Sequence, residues 1–143
     1  MYAAGARICL GSDSNIQIDL LEDARLLEYH LRMQRLERAI LPGGARRLFE
    51  SATESGARSL QSAGGKLAAG RAADFLTVDL EDPSIAGAPR DTLLDNIVFS
   101  LERTAIRDVI VEGNAIVREG RHPKHELISR EYLAASRALW EAA

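Results

Sequence analysis

The sequence predicts an α/β chain, and three observations support that fold class. A short, mostly apolar run at residues 6–10 lies between Gly5 and Gly11, which is typical of a strand buried on both faces in a parallel sheet. Apolar residues then recur at helical spacing over residues 19–41. Further along, two β-branched runs flank residues 112–114, which predicts a tight β-hairpin.

The length and composition suit one domain with its own core. Of the 143 residues, 46% are hydrophobic, enough to fold around an apolar interior. The 18 basic and 21 acidic residues are spread along the chain, so no nucleic-acid partner is expected. No apolar run approaches the roughly 20 residues that cross a bilayer, so no membrane partner is expected. The single Cys9 and the absence of a signal-peptide pattern predict a cytoplasmic protein.

The first half is predicted to be mainly helical. Three acidic residues crowd the start of the 19–41 segment and three arginines crowd its end, an arrangement that complements the helix dipole. Pro42 and two glycines after it end this helix. A second helix is predicted over about residues 45–55, with Gly56 as its C-terminal cap.

The second half is predicted to form a small sheet followed by a helix. Residues 74–80 alternate in the manner of a half-buried strand, and residues 92–101 fit either a helical turn or an irregular connection. A last helix is predicted over about residues 124–140. These elements close neither a parallel sheet nor a sandwich, so we expect the end of a larger structure. We also expect self-association through an exposed edge beside Ile8.

Four motifs resemble those of the metal-dependent amidohydrolase superfamily, in its deaminase branch. The first is similar to the signature that ends the eighth barrel strand, and the second to the helix that follows. The third resembles the passage from the barrel into an accessory β-sandwich, and the fourth resembles the hairpin that closes this sandwich. In chain order they are LGSDS at 10–14, ESATESGARSL at 50–60, GGKLAAGRAADFLTVDL at 64–80 and VIVEGNAIVREGRH at 109–122.

The resemblance implies a fold for each part of the chain. It implies the C-terminal fragment of a (β/α)8 amidohydrolase barrel plus part of the accessory β-sandwich. Residues 1–62 would form the last strand and helices of the barrel, residues 63–122 the sandwich part, and residues 123–143 a C-terminal helix. Within the superfamily, two segments are most similar to the formiminoglutamate deiminases. They are residues 19–41 and residues 119–139.

The resemblance also implies a catalytic and metal-binding role for Asp13. In the superfamily a divalent metal, usually zinc, activates a water molecule. Asp13 would contact the metal or this water and carry a proton to the leaving amine. Barrel enzymes place their chemistry at the C-terminal ends of strands, which fits a carboxylate there. The alternative is that Asp13 only caps a turn with Ser12 and Ser14. Ser14 and Asn15 are secondary candidates that orient Asp13 or line a substrate pocket.

The family's histidine ligands have no counterparts in this sequence. His30 is expected to face solvent within its helix, and His122 and His125 lack a third ligand nearby. Because these zinc ligands are missing, we expect this chain alone to be inactive. Two other residues are expected to be structural: Cys9 in the core, and Asp74 in a turn that it fixes.

For the whole enzyme the resemblance implies hydrolysis of a small-molecule substrate. The expected substrate is N-formimino-L-glutamate, whose C=N bond would be hydrolysed to N-formyl-L-glutamate and ammonia in histidine degradation. One alternative is another deaminase of the same branch, acting on a nucleobase or heterocycle. The other alternative is that the chain is a non-catalytic fragment, which is either truncated or associates with a separate chain. We expect the protein to form a homo-oligomer.

Overall fold

A group of helices precedes a small sheet along the chain. The computed structural model describes residues 5–141. In this range the elements are α1 (Leu20–Arg35), α2 (Gly44–Ala52), α3 (Glu54–Ser59), β1 (Phe75–Val78), α4 (Leu93–Phe99), a 3₁₀ helix (Arg103–Ala105), β2 (Ile106–Val111), β3 (Asn114–Val117) and α5 (His125–Glu141). The segment 92–101, for which the sequence left two alternatives, therefore contains a helix.

The main core lies where α1, α2 and α4 meet. Leu48 of α2 and Val98 of α4 are fully buried there. Ala24 of α1 and Ala45 of α2 are also buried, and their small side chains let the helices approach closely. A second cluster, formed by Ile85, Leu101 and Ala105, connects the end of α4 to the sheet. This core fixes the direction of α1, which follows the loop that carries Asp13.

Helix α1 is shorter than the sequence predicts. It ends at Arg35 because Leu36 adopts a left-handed backbone with φ 54°. The following turn brings the backbone N–H groups of Ile40 and Leu41 to the carboxylate of Glu28, with N–O distances of 3.2 Å for both. Glu28 is only 2% exposed. A buried carboxylate therefore replaces the last predicted turns of the helix.

The predicted second helix is two helices. The chain breaks at Thr53, whose hydroxyl donates to the carbonyl of Phe49 at 2.8 Å. Such side-chain bonding to a preceding carbonyl competes with helix continuation. Gly56 lies inside α3, so its prediction as a cap was wrong.

The strand predicted at residues 6–10 does not form. In the described part of the chain these residues belong to no strand, and Cys9 is exposed rather than in the core. A strand of a parallel sheet is stabilised by hydrogen bonds to neighbouring strands. The three described strands are joined in order β1-β2-β3, and none of them pairs with residues 6–10.

The predicted hairpin is confirmed as strands β2 and β3. Val111 pairs with Asn114, so Glu112 and Gly113 form a two-residue turn. Their φ values of 50° and 78° are both positive, which is the type I′ geometry that suits twisted strands. Asp74 accepts a hydrogen bond from the Glu112 backbone N–H at 2.7 Å, which ties the turn to the start of β1. This is the structural role expected for Asp74.

Asp108 connects all three strands of the sheet. The Thr77 hydroxyl of β1 donates to Asp108 at 2.9 Å, and the Glu119 N–H beyond β3 donates at 3.2 Å. Chiefly the Thr77 bond, and then the Glu119 bond, lower the pKa of Asp108. Its contribution to stability is therefore present above the pKa of the unfolded chain, and is lost as pH falls through the lower folded pKa.

We expect Thr77→Val to raise the pKa of Asp108 toward its ordinary value of about 3.9. The substitution removes the main donor to the carboxylate and keeps the side-chain shape. Carboxyl ¹³C NMR titration measures the pKa directly. Thr92→Val, at the start of α4, is the control and should leave the pKa of Asp108 unchanged. Equal values in wild type and Thr77→Val would contradict this assignment.

Arg25 holds the end of α4 against α1. Its guanidinium donates to the carbonyl oxygens of Val98 and Leu101, both at 2.7 Å, and pairs with Glu22 at 3.1 Å. The side chain is 14% exposed. A cation at a helix C-terminus also interacts favourably with the helix dipole.

We expect Arg25→Met to lower the free energy of unfolding by about 2 kcal/mol. It keeps the aliphatic volume but leaves two carbonyls without their charged donor. Urea denaturation followed by circular dichroism measures the change. Arg46→Met, on an exposed face of α2, should change stability by less than about 0.5 kcal/mol. A loss no larger than that of the control would show that these two bonds contribute little.

The predicted terminal helix is confirmed as α5, but its apolar side chains lie on the surface. No residue of α5 is buried. Leu127, Leu133, Leu139 and Trp140 are all exposed, the last by 80%. No helix of the described residues is both long and apolar enough to span a bilayer.

Candidate functional site

Asp13 lies in a tight turn just before α1. The backbone N–H of Asn15 donates to the Ser12 carbonyl at 2.7 Å, which closes the turn around Asp13. Asp13 has φ 44°, in the left-handed region that aspartate tolerates better than most residues. Its side chain is exposed. The carboxylate is thus held away from the core on a turn with a defined backbone.

The segment after this turn leads directly into α1. Asp19 caps the helix by accepting from the backbone N–H groups of Leu21 and Glu22, at 2.9 and 3.2 Å. Arg103 donates to the Ile18 carbonyl at 2.8 Å and lies 3.9 Å from the Asp19 carboxylate. The start of α1 is therefore fixed both by its own cap and by the 3₁₀ helix before β2.

Asn15 joins the Asp13 turn to α1. Its side-chain Nδ2 donates to Asp23 Oδ1 at 2.7 Å. The second oxygen of Asp23, Oδ2, is buried and has no hydrogen-bond partner among the described residues. Ser14, the other secondary candidate, is exposed on the turn. A role of Ser14 and Asn15 in binding substrate stays a prediction.

The three histidines make contacts within or beside their own helices. His30 is exposed on α1, with its Nε2 2.9 Å from Gln34. His122 Nδ1 accepts from the Lys124 N–H at 3.1 Å, and the His125 N–H donates to the His122 carbonyl at 2.9 Å. Both histidines therefore help to form the turn that starts α5.

The described residues do not form a metal site by themselves. Across residues 5–141, no three side chains of His, Cys, Asp or Glu come together closely enough to hold an ion. Asp13 offers one carboxylate, whereas a zinc site needs three or four ligands. Asp13 therefore fits the metal only as one member of a larger set.

Comparison with known protein families gives a match over most of the chain. Residues 1–116 match the amidohydrolase family. The chain belongs to the amidohydrolase family. The resemblance found in the sequence motifs is thus confirmed.

Two relatives within the amidohydrolase family are deaminating enzymes. A formimidoylglutamate deiminase of Pseudomonas aeruginosa is 38% identical over 136 residues, which cover 92% of this chain and 30% of that protein. A 5-methylthioadenosine/S-adenosylhomocysteine deaminase of Syntrophomonas wolfei is 32% identical over 142 residues, which cover 96% of this chain and 32% of that protein.

Solved structures of amidohydrolases share the fold of this chain. An amidohydrolase from Brucella melitensis is 32% identical, with a TM-score of 0.79 over 97% of this chain and 31% of that one. An atrazine chlorohydrolase from Arthrobacter aurescens, crystallised with zinc, is 28% identical, with a TM-score of 0.74 over 96% of this chain and 30% of that one. The predicted fold class is confirmed: this is part of an amidohydrolase barrel protein.

The chain spans about a third of the length of each of these relatives. The amidohydrolases that it resembles include deaminases, which act on C–N bonds. The domain boundaries after residues 62 and 122 stay predictions, and so does the role of Asp13.

Two acidic residues of α1, Asp23 and Glu28, make contacts that the sequence does not predict. The sequence gives no signal for Glu28, because the backbone N–H groups that it binds lie 12 and 13 positions later. It gives none for Asp23 either, because the link of Asp23 to the turn depends on a bond across eight residues.

Proposed function

We propose that the chain is part of a formimidoylglutamate deiminase. The observation that carries this proposal is the 38% identity to the Pseudomonas deiminase along 136 residues. The substrate would be N-formimino-L-glutamate. Addition of water to the formimino carbon and loss of the terminal nitrogen would give N-formyl-L-glutamate and ammonia. This places the activity in histidine degradation, which we expect in the cytoplasm.

In this proposal Asp13 transfers the proton. It takes a proton from the attacking water and delivers it to the nitrogen that leaves as ammonia. The exposed carboxylate on a closed turn supports this role, because a proton carrier must reach both atoms. The family resemblance further supports a divalent metal, most simply zinc, with Asp13 as the ligand that this chain contributes.

A second candidate is another deaminase of the family. The 32% identity to the Syntrophomonas enzyme over 142 residues favours it. Two chimeras separate the candidates. In each, this chain replaces the segment that it matches, in the Pseudomonas deiminase or in the Syntrophomonas deaminase. We call the first of these the deiminase chimera.

The deiminase chimera should release ammonia from N-formimino-L-glutamate in the presence of zinc. The second chimera should deaminate S-adenosylhomocysteine poorly. The opposite result would favour the nucleoside deaminase. The purified chain alone should release no ammonia, because its described residues contain no complete metal site. Turnover by the chain alone would contradict that reasoning and the inactivity expected from the sequence.

The strand edge expected beside Ile8 is not present, because residues 6–10 form no strand. We therefore propose that the chain associates through exposed apolar side chains instead. Ile16 and Ile18, between the Asp13 turn and α1, are 102% and 73% exposed, and α5 adds further apolar residues. Exposed apolar clusters favour association in water. We expect the purified chain to form oligomers, measured by size-exclusion chromatography with light scattering. A monomer at high concentration would contradict this proposal.

A further inference from the structure

Asn15 holds the loop that carries Asp13 at two points. Its backbone N–H closes the turn onto the Ser12 carbonyl, and its side chain donates to Asp23 on α1, both at 2.7 Å. We infer that Asp23, acting through Asn15, is a positioning residue that fixes the orientation of the Asp13 carboxylate. The inference rests on the proposed function, which gives Asp13 its role in proton transfer.

The Asp13 turn depends on contacts made by residues other than Asp13. Its φ of 44° lies in the left-handed region, which aspartate adopts more readily than most residues do. The Asp13 carboxylate itself makes no hydrogen bond to any of residues 5–141 that would hold it. The two bonds of Asn15 are therefore the contacts that keep the turn closed and attached to α1.

Helix α1 is a rigid base for this attachment. Asp23 precedes Ala24, which is fully buried against α2 and α4. Arg25, on the other side of Ala24, is bonded to the end of α4. A catalytic group is held most accurately when its support lies on such a packed element. The bond from Asn15 to Asp23 thus connects the turn to a helix that is packed in the core.

Asp23 lies in the first turn of α1, where its charge complements the helix dipole, but it does not cap the helix. The cap is Asp19, which accepts from two backbone N–H groups. Asp23 Oδ2 is buried without a hydrogen bond among the described residues, which is unfavourable for a carboxylate. Locally unfavourable groups of this kind are expected at functional sites, where they serve another purpose. The purpose that the geometry offers is to accept from Asn15.

The deiminase chimera tests this inference by kinetics. Asp23→Ala should lower kcat by about 100-fold, because a displaced reacting group costs this much, and should leave KM within about 3-fold. Asn15→Asp should lower kcat by a similar factor, because the new carboxylate would face the carboxylate of Asp23 and repel it. The double variant N15D/D23N exchanges donor and acceptor and should recover most of the activity. Asp19→Ala is the control, since it weakens the cap of α1 without touching Asn15.

A second measurement uses the full chain and needs no activity. Backbone ¹⁵N order parameters of residues 13–15 should fall from about 0.85 to below 0.6 in Asp23→Ala. They should recover in N15D/D23N and stay high in Asp19→Ala. Unchanged order parameters, an unchanged kcat in Asp23→Ala, or no recovery in the double variant would each overturn the inference. An inactive wild-type chimera would count against the proposed function alone, because the order parameters would still decide whether Asp23 holds the turn.

Discussion

Asp13→Asn should lower kcat of the deiminase chimera by about 10²- to 10⁴-fold, the range typical of a lost general acid or base. The amide can neither take a proton from water nor deliver one to a leaving nitrogen. Asparagine is the informative replacement because it tolerates positive φ as well as aspartate does. The turn closed by Asn15 should therefore survive, so that the loss reflects chemistry rather than folding.

Steady-state ammonia release is the measurement, with Asp91→Asn as the matched control. Asp91 is an exposed aspartate in the loop before α4, far along the chain from the turn. Its substitution should leave kcat within about 2-fold. If Asp13→Asn kept half of the wild-type kcat, Asp13 would be a turn residue only, which is the alternative reading of the motif.

Elements stabilised by neighbouring residues could be predicted from the sequence. The β2-β3 hairpin depends on Glu112 and Gly113, whose positive φ values form the turn without help from distant residues. Helix α5 was also predicted from the sequence, and none of its residues is buried. Asp13 could be singled out because it lies in the first of four motifs that follow the family's order, and the family assignment is confirmed.

Elements that depend on distant partners could not be predicted in the same way. A strand at residues 6–10 needs neighbouring strands, and the described chain provides none beside it. The end of α1 at Arg35 depends on Glu28, which accepts hydrogen bonds from Ile40 and Leu41. These two residues lie 12 and 13 positions after Glu28 in the chain. Arg25 binds carbonyls more than 70 positions away. Local patterns carry no information about such contacts.

The same distinction applies to the site. The sequence motif singles out Asp13 as the candidate residue, whereas the contact that ties its turn to a packed helix runs from Asn15 to Asp23. One turn of α1 therefore links three functions: Asp23 contacts the Asp13 turn, Ala24 fills the core, and Arg25 holds α4. Changes in helix packing should reach the candidate site through this turn.

Glu28→Ala should lower the free energy of unfolding by about 3 kcal/mol, the largest stability effect that we expect. Glu28 accepts from the N–H groups of Ile40 and Leu41 and from Arg32 Nε at 2.8 Å. Hydrogen bonds to a charged group contribute about 1.5–3 kcal/mol each, and they do not add fully. Arg32 is 36% exposed, so it can turn to water, whereas the buried Leu41 N–H cannot.

Urea denaturation of Glu28→Ala, Glu28→Gln and Glu37→Ala separates the causes. The glutamine keeps one acceptor oxygen, so we expect an intermediate loss of about 1–2 kcal/mol. Glu37 is exposed in the same turn, and its substitution should change stability by less than about 0.5 kcal/mol. If Glu28→Ala matched Glu37→Ala, the turn at residues 36–41 would be held by the packing of Leu41 in the core rather than by the carboxylate. A loss that increases with the number of acceptor oxygens removed would instead show that the hydrogen bonds of Glu28 hold the turn between α1 and α2.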